Sequence, residues 1–475
     1  MYVFRTLMYK NMLHKNLNHN IKQIQSTFSQ ATDLVIRSIK IGEDSIDSAL
    51  IYIANLTNIT TLQEHVLFPL LYHTFDAHQG PSITIGKITK ISSIEKIKDA
   101  VLNGDSILLM QGYNVSYQFE TKGWPQRAPQ STQNELSIKR TQQCLVETSS
   151  ENIALIRRYI PQAELAIQET KVAKKKTNKL LIIYIKDCVD ESVLQELQKR
   201  LTNISIDFLI NTGELVEWIE DDSSSPFPQI LVTERPDWIA THLRDGRIAL
   251  ILDNASQALI VPINFVGFFK NIDDYGSRWY IASFIRLLRF TAFIISIFLP
   301  ALYVAVISFH FEIIPIQLLY SIADTRAQVP FHPILEAFLM LLSLELMREA
   351  AIRIPTPIGL TVGIVAGSII GQAAVQTGIV SNIMVIVIGV TALASYILPS
   401  YDMGATVRLL RFPLMILASF FGLVGILVGW MILIAHLINL KSLGTPYGIP
   451  LAPFSFFNII RDTFLRIPFK WIKRR

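Results

Sequence analysis

The sequence predicts two parts in series: a tandem-duplicated α/β soluble region at the N-terminus, then an α-helical polytopic membrane domain of about six segments. Three observations predict this. Charged residues are only 17% of the 475 and hydrophobic ones 51%, whereas a soluble protein averages roughly 25% charged. The shortage is local: residues 1–289 hold 31 Lys/Arg and 31 Asp/Glu, but residues 290–475 only 12 and 7. Short strand-like and helix-like motifs also recur within the first part at a nearly constant offset.

The N-terminal extension, residues 1–26, mixes Arg5, Lys10, Lys15, His14 and His19 with apolar residues. It has no uninterrupted apolar core and no small-residue cleavage site, so residues 1–289 are expected on the synthesis side of a membrane. Two cysteines, Cys144 and Cys188, exclude a disulfide scaffold and fit a reducing compartment. A sequence pI of 9.0 would suit a nucleic-acid partner, but residues 1–289 carry no net charge, so none is expected. The whole net charge of +5 equals that of the basic tail, residues 461–475, with six basic residues and one acidic.

Soluble module 1 is expected over 27–130, a linker over 131–159 and module 2 over 160–265. Asp33-Leu-Val-Ile-Arg-Ser-Ile-Lys-Ile41 resembles Glu164-Leu-Ala-Ile-Gln-Glu-Thr-Lys-Val172. Strand patterns follow in both, Ala49–Ile53 and Leu181–Ile185, and then helix-like stretches, 59–70 and 190–201. These offsets are 131–132 residues; further on, Gly104–Gly112 and Gly246–Asn254 match at an offset of 142. Each of the latter pair leads through turn residues into a second apolar run, the pattern of a hairpin. Neither copy holds a phosphate-binding glycine loop, a zinc-protease motif or a paired-cysteine motif. No catalytic residue, metal ligand or cofactor is predicted, and the chain is not expected to be an enzyme. Lys174–Lys176 and Glu220–Asp222 read as solvated loops.

An amphipathic juxtamembrane helix is expected over 266–289 and the transmembrane domain over 290–460. Residues 290–309 lack ionisable side chains other than Tyr303, enough for a helix crossing about 30 Å of hydrocarbon. The 48 uncharged residues Ile354–Tyr401 suffice for two spans, about 357–377 and 379–398, with Gly378 at a tight turn. Phe412–Ala435 offers a further span. Arg286-Leu-Leu-Arg-Phe290 recurs as Arg408-Leu-Leu-Arg-Phe412, and arginines at span ends favour the cytoplasmic side. An even number of crossings then separates the two copies, which makes 333–352 a span as well. The basic tail asks for one more return, expected in the Gly/Pro-broken stretch 436–460, with both termini cytoplasmic.

Charges inside a span are costly and seek partners or water. Glu345 with Arg348, and Glu349 with Arg353, have the spacing of pairs on one helix face, either neutralising each other or serving gating or ion attraction. In 357–377, Gly359, Gly363, Gly367 and Gly371 form a small-residue ridge suited to close helix packing. Thr361, Ser368, Gln372 and Gln376 lie on roughly the opposite face and are polar without charge. Such a stripe is costly against lipid and cheap against water, so it is expected to line an aqueous path assembled from several copies, or to bond neighbouring helices.

With these residues in place, the chain resembles the A subunits of GerA-type spore germination (germinant) receptors from about residue 27 to 455. The resemblance is carried by Ser225-Pro-Phe-Pro-Gln229, Thr233-Glu-Arg-Pro-Asp237 and Arg286–Phe290. It continues in Pro330-Phe331, Glu336-Ala337, Arg348-Glu-Ala350, Gly371–Val375 with Gly378–Ser381, Pro399-Ser-Tyr401 and Gly444-Thr-Pro-Tyr447. It implies a multi-pass protein of the inner spore membrane, with the N-terminal domain and tail on the spore-core side. It further implies a homo-oligomer, pentameric in form, that conducts monovalent cations early in germination. A permease-like B subunit that takes the germinant and a lipoprotein C subunit are the implied partners.

One stretch departs from the family pattern. After Gly123-Trp124 the family has Arg-Gly-Pro-x-Glu-Gly-Phe, where this chain reads Lys139-Arg-Thr-Gln-Gln-Cys-Leu145, losing both glycines and the proline that shape the backbone. Two other classes compete with the channel subunit. One is a secondary transporter with a regulatory cytosolic domain, using the broken last segment. The other is a non-conducting scaffold, like the A-like paralogue of the sporulation stage V A cluster.

Overall fold

The computed structural model describes residues 12–28, 31–42, 45–72, 83, 85–123, 143–172, 178–354, 367, 369–452 and 462–468. The chain divides into two compact units, Met1–Glu220 with Ile230–Ile263, and Asp221–Gln229 with Asn264–Arg475.

Unit 1 holds two five-stranded antiparallel sheets. Helix α1 (Leu17–Thr27) precedes β1 (Leu34–Ile41), β2 (Ile46–Ile53), a run of helical turns over Ile59–Tyr72, β3 (Ile88–Ile91), α2 (Ile94–Leu102), β4 (Ser106–Met110) and β5 (Ser116–Phe119). The second half repeats the series: α3 (Ser149–Tyr159), β6 (Leu165–Val172), β7 (Asn178–Ile185), α4 (Glu191–Asn203), α5 (Thr212–Ile219), β8 (Leu231–Thr233), α6 (Pro236–Arg244), β9 (Ile248–Leu252) and β10 (Ala258–Val261). The sheet orders are β1-β2-β4-β5-β3 and β6-β7-β9-β10-β8, the same arrangement twice.

The register matches residue for residue. Ile51 pairs with Ile107 in the first sheet, and Ile183 with Ala249 in the second. Those partners are displaced by the same two offsets as the sequence motifs. The ten additional residues therefore lie between β7 and β8, where the second half forms α4 and α5. Gly104 and Gly246 occupy equivalent positions at φ +89° and +83°, and a Cβ on either would lie within 2.6 Å of a carbonyl oxygen, of Leu56 or of Cys188. Only glycine tolerates both the backbone and the close approach.

The copies begin earlier than the expected boundaries. Helices α1 and α3 lie in the stretches read as N-terminal extension and linker. Each carries a buried asparagine that clamps the backbone six residues before it. Asn20 Oδ1 accepts from His14 N and its Nδ2 donates to His14 O; Asn152 does the same with Val146. Polar side chains interrupt the apolar periodicity at these points, which hides the helices from a hydrophobic pattern. Residues 139–142 and Lys174–Lys176 lie outside the described residues.

In the first sheet, alternate residues serve two cores. Ala49, Ile51 and Ile53 of β2 pack with Leu17 and Ile24 of α1 and Ile97 and Val101 of α2. Leu50 and Tyr52 pack with Leu62, Val66 and Leu70 of the helical turns. Because both faces are covered, the strand reads as an unbroken apolar run rather than an alternating one.

Unit 2 begins with two 3₁₀ turns, Phe265–Phe269 and Ile272–Tyr275, and then helix α7 (Trp279–Phe309). This corrects the expected juxtamembrane helix: 266–278 is turn structure, and 279–289 is the first part of α7. Next come α8 (Ile316–Ala327), α9 (Pro333–Arg353), helical backbone at 369–376, α10 (Asn382–Tyr396) and α11 (Tyr401–Asn439). Among the described residues, two helices are long and apolar enough to cross a membrane, α7 and α11; α10 is apolar but shorter, at 15 residues. Helix α9 has 21 residues but carries Glu336, Glu345, Arg348, Glu349 and Arg353. By length and composition the count is thus two, against about six expected.

Helix α11 is not straight. Gly422 has φ +62° and ψ −138°, outside helical values. A Cβ on Gly425 would collide with the carbonyl of Leu417, and one on Gly429 with the Leu414 side chain. Those contacts require the chain to fold back at Gly422 into two antiparallel limbs, 401–421 and 423–439. The expected single span over 412–435 is therefore overturned, and so is the return through 436–460 in its described part. The reversal occurs at Gly422, and residues 441–446 form a small hairpin, β11 (Lys441–Ser442) with β12 (Thr445–Pro446).

Candidate functional site

The segment Asp221–Gln229 is held along unit 2 by successive backbone contacts. Asp221 accepts from Gly444 N, the Pro226 carbonyl from Thr406 Oγ1, the Pro228 carbonyl from Tyr447 Oη at 2.8 Å, and the Gln229 carbonyl from Ser442 Oγ at 2.7 Å. Ser225 Oγ lies 2.7 Å from His436 Nε2. Phe227 is buried, with its ring 6.4 Å from Phe265 and 6.0 Å from His436. Two prolines remove backbone donors that a strand partner would otherwise satisfy, leaving carbonyls free to accept side-chain donors. Thr406 and His436 belong to different limbs of α11, so this strap fixes the open end of the helical hairpin. At the closed end, Gly422 lies against Phe309 and His310 at the end of α7.

A second cluster ties α7, α9 and α10. Glu336 is fully buried; its Oε1 accepts from Ser381 N and Oγ at 2.5 Å, and its Oε2 pairs with Arg326 at 3.0 Å. Tyr303 Oη lies 3.1 Å from Ser381 Oγ. The buried carboxylate is thus both paired and hydrogen-bonded, as burial of a charge demands. Ser381 in turn caps α10, its Oγ accepting from Met384 N.

The predicted site residues separate into three groups. Thr361, Ser368, Gly359 and Gly363 lie outside the described residues. Gln372 and Gln376 share helical backbone and are both exposed. Gly367 would place a Cβ 3.4 Å from Met347 Cε, whereas Gly371 has nothing within 4 Å, so in one chain the ridge packs at only one of its two described glycines. The charge pairs differ from each other. Glu349 and Arg353 meet at 2.6 Å but are 63% and 77% exposed, a solvated pair of small energetic weight. Glu345 and Arg348 stand 3.4 Å apart and share Glu345 with Arg408 at 3.5 Å, a connection between α9 and α11.

The two Arg-Leu-Leu-Arg motifs have opposite surroundings. Arg286 donates to Asp274 at 2.8 Å and Asp462 at 2.7 Å, and Arg289 to Asp274 at 2.9 Å. Arg408 pairs with Glu345 and lies over the Tyr401 ring, and the guanidinium of Arg411 is buried with no hydrogen-bond partner among the described residues. No group of three or more His, Cys, Asp or Glu suited to a metal occurs among the described residues.

The family model described as Bacillus/Clostridium GerA spore germination protein matches residues 22–475. The chain belongs to the GerA family. Among GerA relatives, "Spore germination protein B1" of Bacillus subtilis (strain 168) is 37% identical over 470 residues, covering 98% of this chain and 97% of the relative. "Uncharacterized membrane protein YfkQ" of the same organism is 34% identical over 466 residues, covering 97% and 90%. The crystal structure of the N-terminal domain of the A subunit of the Bacillus megaterium spore germinant receptor GerK3 is similar at 26% identity with a TM-score of 0.42, covering 54% of this chain and 97% of that one.

In this GerA chain, sequence reasoning missed Gly422, Gly425 and Gly429, although their spacing of three and four within an apolar run was a readable sign of close helix packing. Glu336, Ser381 and Ser225–Gln229 were visible as family motifs without a role. Their partners are distant in sequence, and nothing local announces them.

Proposed function

We propose that this chain is the A subunit of a nutrient germinant receptor in the inner spore membrane. In this reading it crosses the membrane several times, oligomerises and conducts monovalent cations to trigger germination, alongside permease-like B and lipoprotein C subunits. Membership of GerA over residues 22–475 supports the receptor role. The conduction reading rests on one observation: Gln372 and Gln376 are exposed in the single chain, on a stretch with no charged residue from Ile354 to Tyr401. Uncharged amides facing outward suit a water-filled path closed by neighbouring copies and are costly against lipid.

The direction of the helices supports six crossings. The start of α9 lies at the start of α10 through Glu336 and Ser381, and its end at the end of α10 through Arg348 and Ser395. Two parallel helices in series need a return between them, and the described helical backbone at 369–376 lies in that interval. The two limbs of α11 add an outward and a homeward pass.

The deciding experiment is single-channel recording of the purified, reconstituted chain. Discrete unitary currents, diminished by Gln372→Leu, are expected. Absence of unitary conductance, or currents indifferent to Gln372→Leu, would overturn the pore assignment.

A further inference from the structure

The geometry points to Arg348, Arg408 and Arg411 as a binding site for the phosphate of an anionic lipid headgroup. The inference rests on the reading of unit 2 as membrane-embedded, but not on conduction.

Two guanidiniums in this cluster, Arg348 and Arg408, contact one carboxylate, Glu345. Arg411 is 0% exposed, and its Nε, Nη1 and Nη2 have no hydrogen-bond partner among the described residues. It lies three residues beyond Arg408 on the same face of the helix, where the charges of Glu345, Arg348 and Arg408 all act on it. A guanidinium offers five donors and stays charged, and a buried charge without a counter-ion is strongly unfavourable. The neighbours do not relieve it. Arg348 and Arg408 stand 3.4 and 3.5 Å from Glu345, longer than the roughly 2.7–2.9 Å of a charge-assisted bond.

The first copy of the motif shows a paired counterpart, although Arg286 Nη2 also lacks a partner among the described residues. There Asp274 and Asp462 bring carboxylate oxygens to 2.7–2.9 Å of Arg286 and Arg289. No residue supplies the equivalent carboxylates to Arg408 and Arg411 among the described residues. The second copy is short of an anion with several acceptor oxygens, which a phosphate provides.

The surroundings favour a lipid as the carrier of that phosphate. Arg348 lies over the Tyr396 ring at 4.8 Å and Arg408 over the Tyr401 ring at 5.8 Å, and both tyrosines are exposed. Tyrosine and arginine together mark the headgroup level of a membrane. Leu346, Leu393 and Leu409, each within two residues of Arg348, Ser395 or Arg408, are exposed apolar side chains able to meet acyl chains. Basic pockets between helices on the cytoplasmic side bind anionic headgroups in this manner.

The test uses the full chain in nanodiscs of phosphatidylcholine, alone or with phosphatidylglycerol, followed by native mass spectrometry of the lipids retained on extraction. Phosphatidylglycerol should be retained preferentially, and Arg408→Gln and Arg411→Met should each lower retention about tenfold, the weight of one hydrogen bond to a charged group. Inorganic phosphate added to phosphatidylcholine nanodiscs should leave the unfolding temperature unchanged. Without anionic lipid, Arg411→Met should unfold no earlier than the native chain, since it removes an unpaired buried charge. Equal retention in native and variant chains would overturn the proposal. So would full stabilisation by inorganic phosphate alone, which assigns the site to the free ion. Variants that dissociate the oligomer without altering lipid retention would assign the arginines to a carboxylate of a second copy, and also overturn it. A chain that does not enter nanodiscs at all refutes the membrane reading instead.

Discussion

Arg157 and Asp33, 124 residues apart, meet in a buried two-pronged ion pair: Nε donates to Oδ2 at 2.6 Å and Nη2 to Oδ1 at 2.8 Å. Asp33 immediately precedes β1 of the first sheet and Arg157 lies on α3 of the second half. Lys98 with Glu164 at 2.9 Å and a bridge from Ala31 to Ile167 join the same two halves. The duplicated modules are therefore locked as one body rather than strung on a linker.

Arg157→Met should cost about 3–5 kcal/mol, because it strands the Asp33 carboxylate in the interior. Adding Asp33→Leu should recover most of that loss, since an apolar pair of similar volume tolerates the site. Denaturant unfolding of the full chain, followed by tryptophan fluorescence, measures both. A double variant no better than the single one would mean the pair holds geometry that apolar packing cannot replace.

The repeat makes a paired prediction at Gly104 and Gly246. Alanine at either position faces the same left-handed backbone and the same nearby carbonyl, so each should destabilise by about 1–3 kcal/mol. Similar losses in the two variants would follow from equivalent positions. A neutral Gly246→Ala would show that the second copy has relaxed around Cys188.

Acid sensitivity should be set in part by Asp462. Burial pushes its carboxyl up, but Lys270 at 2.7 Å and Arg286 outweigh it, and the net shift is below the ordinary value. A lowered folded-state pKa gives stability that is fully present above the unfolded value, about 3.9, and is lost as pH falls through the folded one. Asp462→Asn should therefore destabilise the chain at neutral pH, with the gap to the native chain closing below about pH 4. Thermal unfolding across pH measures it; a gap unchanged at pH 3 would remove Asp462 from the account.

Much of unit 1 was legible because its signals are local. The offsets of the motifs reappear as the register of β2 with β4 and of β7 with β9, since strand pairing carries a repeat in sequence directly into space. Helices α1 and α3 were not legible, because Asn20 and Asn152 are buried polar residues satisfied by backbone six residues away. In unit 2 the apolar stretches were plain, but their direction was not. Hydropathy counts residues, whereas the reversal of α11 depends on one glycine at positive φ. The carboxylate pairing of Arg286 and the lack of a partner for Arg411 among the described residues were equally hidden: the two motifs are identical in sequence and differ in which distant carboxylates reach them.

The fold of α11 has the sharpest consequence for topology. Thr406 and His436 are thirty residues apart, which in a straight helix would separate them by about 45 Å. In the hairpin both reach the same short strap, Thr406 to the Pro226 carbonyl and His436 to Ser225. Spin labels at Thr406→Cys and His436→Cys, in a chain whose Cys144 and Cys188 are replaced by serine, should report a separation less than half the straight-helix value by dipolar spectroscopy. Gly429→Leu should lengthen it, because the added side chain occupies the space of Leu414 and forces the limbs apart. A distance near the straight-helix value in the unsubstituted hairpin would make α11 a single long helix. The tail would then lie across the membrane from the position proposed for it, and the even count of crossings would fail.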